Sequence, residues 1–155
     1  TEALDYQEKS VTLTLDQLIG NEFSVGTRYR VTYADITHDI PAIPKRALNS
    51  KEDALLHQLN LYAIFNHPCG GFAQVNSVWS RQEWSFNSAK QSLQDVGDDL
   101  WQFNAFVGYR FPRRQAEVRV GVLNLTDRNY QLNPLTLYAE LPRERTVIAS
   151  LKLNF

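Results

Sequence analysis

Hydrophobic and polar residues alternate in seven separate segments of the chain. In the last of them, TVIASLKLNF, every second residue from Val147 to Leu153 is apolar, and most of the residues between are polar. Period-two alternation is typical of a β-strand with one apolar and one polar face. The seven segments are residues 11–19, 23–33, 55–66, 72–80, 101–111, 116–125 and 146–155. Helical periodicity is weak along most of the chain, so the pattern predicts an all-β fold of about seven antiparallel strands.

The connections between these segments differ in length. The short turns GNE, HPCGG and PRRQ alternate with long loops at about 35–53, 86–99 and 127–145. Transmembrane β-barrels have tight turns at one rim and long loops at the other, whereas a soluble meander has no reason to sort its loops in this way. The alternation therefore favours an antiparallel transmembrane β-barrel over a soluble barrel that binds an apolar ligand.

The aromatic residues of the predicted strands fall into two groups. One group lies near the short turns or the chain end: Phe23, Phe65, Phe72, Tyr109, Phe111 and Phe155. The other lies towards the long loops: Tyr33, Trp79, Trp84 and Trp101. Two aromatic bands separated by Val, Leu and Ala are typical of strands that cross a membrane.

Composition and charge narrow the alternatives only slightly. The 155 residues fit one domain, here taken as a single barrel segment over 1–155, and 43% of them are hydrophobic. The net charge of -1, with no basic cluster, gives no reason to expect a nucleic-acid partner. No run of eighteen apolar residues occurs, so a membrane helix is not predicted. A barrel strand needs only ~9–11 alternating residues to cross, so membrane lipid remains an expected partner.

The end of the chain carries a recognisable motif. VRVGVLNLTDRNYQLNPL, followed by RTVIASLKLNF, resembles the C-terminal barrel strands of TonB-dependent outer-membrane receptors, or of a related outer-membrane β-barrel such as a tetratricopeptide-linked exporter. The family has a Val-x-Asn-Leu-x-Asp-x-x-Tyr stretch before a last strand that ends in Phe. The matching residues here are Val122, Asn124, Leu125, Asp127, Tyr130 and Phe155. Thr126 stands where the family usually has Phe, and the likeness covers roughly the last forty residues.

The resemblance implies a location and partners. It implies the bacterial outer membrane, and a last strand whose Leu151, Leu153 and Phe155 form the signal read by the barrel-assembly machinery. TonB would be a partner if a plug domain lies upstream of these residues. The expected function is transport of solutes, with two alternatives: a non-transporting adhesin or anchor that binds through its long loops, and an export barrel for polysaccharide or another polymer.

Strand direction predicts that these residues are the C-terminal part of a larger barrel. Single-chain bacterial barrels have an even number of strands, and only seven are predicted here. Working back from Phe155 at the periplasmic rim, the first strand runs from outside to inside. Its preceding segment, TEALDYQEKS, is then expected in an extracellular loop. We therefore expect that the first and seventh strands do not close a ring.

Charged residues on the polar side of the strands are the candidate lumen-facing groups. By parity these are Asp16, Arg28, Arg30, Arg110, Glu117, Arg119 and Lys152. Five positive and two negative groups would favour anionic solutes, unless the charges pair with one another or contact a plug.

No residues predict an enzyme, a cofactor site or a metal site. Asp95, Asp98 and Asp99 could offer oxygen ligands to Ca²⁺, but solvated loops are commonly this acidic. His67 and Cys69 flank Pro68 in a turn and supply two of the four ligands that zinc needs.

Overall fold

The computed structural model describes residues 3–39, 50–88, 91–112, 115–132, 134–138 and 140–154. These residues form a single antiparallel sheet of seven strands, joined in sequence order. The strands are β1 (Ala3–Ile19), β2 (Phe23–Asp39), β3 (Ser50–Asn66), β4 (Gly71–Ser88), β5 (Gln91–Arg110), β6 (Ala116–Leu123) and β7 (Thr146–Leu153). The predicted all-β, antiparallel, seven-stranded fold is confirmed. The sheet is open, because no described residue of β1 pairs with β7, as expected.

Several strands are longer than the alternation predicts. β1 already begins at Ala3, so the expectation that residues 1–10 form a loop is wrong for the described part of that segment. Residues 86–99 were expected to form a long loop, yet β4 and β5 continue through this region and leave only 89–90 between them. The backbone ladder explains the difference, since hydrogen bonds to a neighbouring strand do not require alternating side chains. The predicted alternation of three short and three long connections is therefore wrong.

Cross-strand register assigns each residue to one face of the sheet. One row joins Leu13, Tyr29, Leu59, Trp79 and Trp101, and we call the face that carries it the apolar face. The next row belongs to the opposite face, because successive side chains of a strand alternate. That row joins Thr14, Arg28, Asn60, Val78 and Gln102.

Residues 124–145 connect β6 to β7 and pack against the second face of the sheet. We call these residues the covering segment, and we call the face that they cover the loop face. Positions 133 and 139 of this segment lie outside the described residues. A small core forms where the covering segment meets the sheet, with Leu56 and Leu100 against Tyr130 and Leu132. This contact was not predicted, because residues 127–145 were expected to form a long loop and residues 124–125 the end of the sixth strand, which instead ends at Leu123.

Candidate functional site

The apolar face exposes large hydrophobic side chains over most of its height. Val75 is 54% exposed and Val107 is 61% exposed, although both lie in long central strands. On the loop face of the same strands, Gln82 and Gln102 are fully buried. A soluble sheet buries its apolar side and exposes its polar side. In this sheet the apolar side is exposed, and polar side chains on the opposite side are buried.

Aromatic pairs lie at both ends of the apolar face. The ring centroids of Trp79 and Trp101 are 6.3 Å apart at one end, and those of Phe23 and Phe65 are 4.7 Å apart at the other. From the row of Trp101 to Phe111 the chain rises ~33 Å, at ~3.3 Å per residue. A strand tilt of ~45° reduces this rise to ~23 Å, close to the ~25 Å apolar band of outer-membrane barrels.

On β3, β4 and β5, polar side chains border the apolar face beyond the row of Trp79 and Trp101. The next row on the same face joins Val31, His57, Arg81 and Asp99. His57 Nδ1 lies 2.7 Å from the Tyr29 hydroxyl, and Trp79 Nε1 donates to Asp99 at 2.6 Å. The Trp side chains therefore stand at the boundary between the apolar band and a polar rim.

The predicted lumen-facing residues on β1 and β2 lie together on the loop face. Asp16 accepts a hydrogen bond from the Tyr62 hydroxyl. Arg30 Nη2 lies 3.6 Å from a carboxylate oxygen of Glu8. Arg28 pairs in register with Thr14 and Asn60 and lies two residues from Arg30 along β2, on the same face. The polar groups of the first two strands thus form one patch.

The other predicted residues form a second patch on β5, β6 and β7. Arg110 donates to Glu117 at 2.9 Å and to Asn66 at 2.6 Å. Lys152 lies opposite Glu117 in the register, and both line one recess with Arg110. The Arg119 guanidinium lies 3.8 Å from the centre of the Phe106 ring. The charges are therefore divided between two patches, and some of them pair with one another.

Asn124 anchors the start of the covering segment. Its backbone N–H donates to Asn104 Oδ1 at 2.8 Å, its Nδ2 donates to the carbonyls of Arg128 and Pro142, and its Oδ1 accepts from the Arg128 N–H. Asp127 accepts from the Arg145 N–H at 2.8 Å. Both Asn124 and Asp127 have positive φ angles, which Asn and Asp tolerate better than most residues. The motif that carries the family resemblance therefore holds the segment in place.

Tyr130 anchors the middle of the covering segment. Its hydroxyl donates to the Leu141 carbonyl and accepts from the Leu141 N–H, both at 2.9 Å. The Arg143 guanidinium lies 5.5 Å from its ring centre. Tyr130 is buried, so this side chain closes the segment on itself and fills the space above the sheet.

Side chains of the sheet also donate hydrogen bonds to the covering segment. Gln82 donates to Thr136 Oγ1 at 2.9 Å, and Gln102 donates to the Pro142 carbonyl at 2.6 Å. Tyr6, at the far end of β1, donates to Glu8 at 2.7 Å and reaches the Leu135 carbonyl at 3.0 Å. The hydrogen bond to Glu8 is the main cause that raises the pKa of Tyr6 to about 12.

Several buried polar atoms of the loop face have no hydrogen-bond partner among the described residues. They are Thr32 Oγ1, Asn60 Oδ1, Asn76 Oδ1 and Ser80 Oγ. A buried polar group without a partner costs ~1–3 kcal/mol. We therefore expect water or a bound polar group next to these atoms.

The remaining sequence predictions differ in outcome. Leu151 and Leu153 are exposed on the apolar face, and Phe155 lies outside the described residues. Phe72 and Trp84 were grouped with the aromatic bands, but register places both on the loop face.

The structure also gives the positions of the residues that were considered as metal ligands. His67 Nδ1 lies 2.9 Å from Cys69 Sγ in the β3–β4 turn, and Asp99 bonds to Trp79. The side chains of Asp95 and Asp98 lie outside the described part of the chain. Within the described ranges, no three His, Cys, Asp or Glu side chains are arranged to hold a metal ion. The same residues contain no helix that is long and apolar enough to cross a membrane.

Comparison with protein-family models, with curated proteins and with solved structures gives no significant match.

Proposed function

We propose that the chain is part of a transmembrane β-barrel in the bacterial outer membrane and takes part in moving solutes across it. One observation carries the proposal: the sheet exposes its apolar face and turns its polar face towards the covering segment. In a membrane barrel the apolar face meets lipid and the polar face lines the interior. The distance between the aromatic side chains at the two ends of the apolar face is close to the thickness of the apolar band of a membrane barrel.

The open sheet and the resemblance of the last forty residues fit the C-terminal part of a larger barrel. In that barrel the free edges of β1 and β7 pair with other strands, which removes their exposed backbone groups. Leu151, Leu153 and Phe155 would then belong to the strand that the assembly machinery reads. TonB would be a partner only if a plug domain belongs to the same protein.

The loop face is proposed as the wall of the solute path, acting by binding and exclusion rather than by catalysis. Its amide and hydroxyl atoms without protein partners suit a hydrated surface. Arg28, Arg119 and Lys152 add positive charge to this wall, while Arg110 is paired with Glu117. A wall of this kind favours small anionic solutes over cations.

Conductance and ion selectivity in a planar bilayer test the proposal. We expect ion-conducting events from the full-length protein, and a reversal potential in a salt gradient that indicates anion preference. Replacing Arg28 and Arg119 with Gln should shift that potential towards cations, whereas Lys9→Gln, on the other face, should not. A protein that inserts but never conducts would contradict transport.

A second function is favoured by the covering segment. Because it packs on the loop face, it would narrow or close the interior, as in a barrel that serves as an anchor or adhesin. Tyr130→Ala removes a buried anchor of the segment, and Leu137→Ala changes an exposed residue of the same segment. If transport is the function, Tyr130→Ala should raise conductance and Leu137→Ala should not. No conductance from any of these proteins would favour the anchor.

A further inference from the structure

An aromatic ring lies across the first three strands of the loop face. Tyr62, on β3, extends over β2 to the Asp16 carboxylate on β1, to which its hydroxyl donates. The crossing is possible because Gly26 lies between them in the register, and a Cβ atom there would meet both side chains. The ring is therefore held on bare backbone at one end, and part of its surface stays exposed.

Two asparagines flank Tyr62 on the same face. Asn76 is directly opposite Tyr62 on β4, and Asn60 is two residues from it on β3. The Oδ1 atoms of both asparagines are buried acceptors without a hydrogen-bond partner among the described residues. Such an acceptor needs a donor, and the terminal torsion of an asparagine is soft enough to turn Oδ1 towards one. The two amides therefore favour a ligand that donates hydrogen bonds on both sides of the ring.

Arg28 adds an exposed guanidinium that forms no hydrogen bond or ion pair with a described residue. It is directly opposite Asn60, and two residues further along β2 Arg30 already lies 3.6 Å from Glu8. A guanidinium binds a carboxylate through two parallel hydrogen bonds. The carboxylates of Glu8 and Asp16 would repel the second negative charge of a phosphate. The charges of this corner therefore suit a ligand with a single carboxylate.

We propose that this corner of the loop face binds a sugar acid, with its carboxylate at Arg28, its ring over Tyr62 and its hydroxyl groups donating to Asn60 and Asn76. Sugar C–H groups carry partial positive charge and suit the negative face of an aromatic ring. Rows on one face are ~6.6 Å apart and neighbouring strands ~4.8 Å apart, so these side chains lie within reach of one pyranose unit. The inference rests on the proposed function, because it requires the loop face to line the solute path, and it names the class of solute.

Isothermal titration calorimetry of the full-length protein in lipid nanodiscs tests the site, with glucuronate as the probe. Glucose lacks the carboxylate, and acetate lacks the ring and its hydroxyl groups. We expect glucuronate to bind more tightly than either compound. Equal affinity for glucuronate and glucose, or for glucuronate and acetate, would overturn the proposal.

Matched variants test the individual contacts. Arg28→Gln should lower the affinity for glucuronate roughly ten-fold, to about that for glucose, because the contact with the carboxylate is lost. Lys9→Gln, which removes the same charge from the apolar face, should leave it unchanged. Asn60→Leu should weaken both sugars several-fold without lowering the urea midpoint, because it removes a buried acceptor that has no partner. Unchanged glucuronate binding in Arg28→Gln or in Asn60→Leu would overturn the site.

Conductance separates this inference from the proposed function. If the protein conducts ions in a planar bilayer but binds no glucuronate, only the sugar-acid site fails. If it binds glucuronate through Arg28 and never conducts, the site stands and transport fails.

Discussion

Phe106 lies directly opposite Gly121 across β5 and β6, and its ring covers the space that a Cβ atom on Gly121 would occupy. The same relationship recurs twice on the loop face: Tyr62 covers Gly26, and Phe72 covers Gly108. Aromatic side chains placed over glycines pin strand register and shield the bare backbone. Charged side chains then contact two of these rings, Arg119 on Phe106 and Arg110 on Phe72.

Adding a methyl group at Gly121 should destabilise the sheet. In Gly121→Ala the new Cβ meets the Phe106 ring and lies 2.9 Å from the Ala105 carbonyl oxygen, so the ring must move. Overpacking of this kind costs ~1–3 kcal/mol in the free energy of unfolding. Urea unfolding in lipid vesicles measures the change.

Gly71→Ala is the matched control, because the nearest atom to its added Cβ is Cys69 Sγ at 3.8 Å. It should unfold at the wild-type urea concentration. Adding Phe106→Leu to Gly121→Ala should recover part of the loss. Equal stability of the two alanine variants would mean that the ring does not pin the register.

The anchor of the covering segment can be removed at Asn124. In Asn124→Ala the hydrogen bonds of the amide group are lost in a buried position, and alanine must adopt a positive φ. We expect a loss of ~1–3 kcal/mol. Hydrogen exchange should rise at residues 124–132 and stay unchanged in β1–β4. Thr126→Ala, exposed in the same turn, should change neither quantity; protection that survives in Asn124→Ala would contradict the assignment.

Tyr6 should titrate at an unusually high pH. Glu8 accepts its hydrogen bond and disfavours the phenolate, so absorbance at alkaline pH should reveal a tyrosine with a pKa of about 12. Because the folded pKa is raised, the stabilisation is present below pH ~10 and is lost as the pH rises through about 12. Glu8→Gln should return the pKa of Tyr6 towards the ordinary tyrosine value of 10.0. A titration that does not respond to Glu8→Gln would contradict the contact.

The strands could be predicted from the sequence where one face is apolar. The segment from Trp101 to Arg110 alternates cleanly and is strand throughout. The first residues of β1 could not be predicted, because Gln7, Glu8 and Lys9 are polar on both faces and only the ladder with β2 makes them strand. In such rows side-chain periodicity carries no information about pairing.

The covering segment could not be predicted for a different reason. Its position depends on single residues, Asn124 and Tyr130, whose hydrogen bonds reach the sheet or fold the segment on itself. Tyr130 belongs to no periodic pattern, and Asn124 interrupts the alternation of residues 116–125 at a position where an apolar residue would be expected. The Asn-x-x-Asp spacing was the available signal, because both residues tolerate positive φ. The side chain of Asn104 accepts the Asn124 N–H, so this polar residue of an alternating strand is not freely replaceable.

A charge on the apolar face should be far more costly than the same charge on the loop face. Val75→Lys places an ammonium group in the middle of the apolar band, at a cost of ~2–4 kcal/mol. Gln74→Lys places it one residue away on the opposite face and should cost little. Refolding yield and urea midpoint in phospholipid vesicles measure both; equal tolerance would contradict the assignment of the two faces.

The central claim, that the apolar face contacts lipid, is tested most directly by spin labels along β4. Cys69→Ser removes the only cysteine of these 155 residues, and single cysteines from 73 to 79 then carry a nitroxide in the reconstituted protein. Oxygen, which concentrates in lipid, should reach the label best at Ala73, Val75 and Ser77 and poorly at Gln74 and Asn76. A water-soluble nickel chelate should not reach the first three positions. Ready access of the nickel chelate to 73, 75 and 77, or no alternation in oxygen access, would contradict the account.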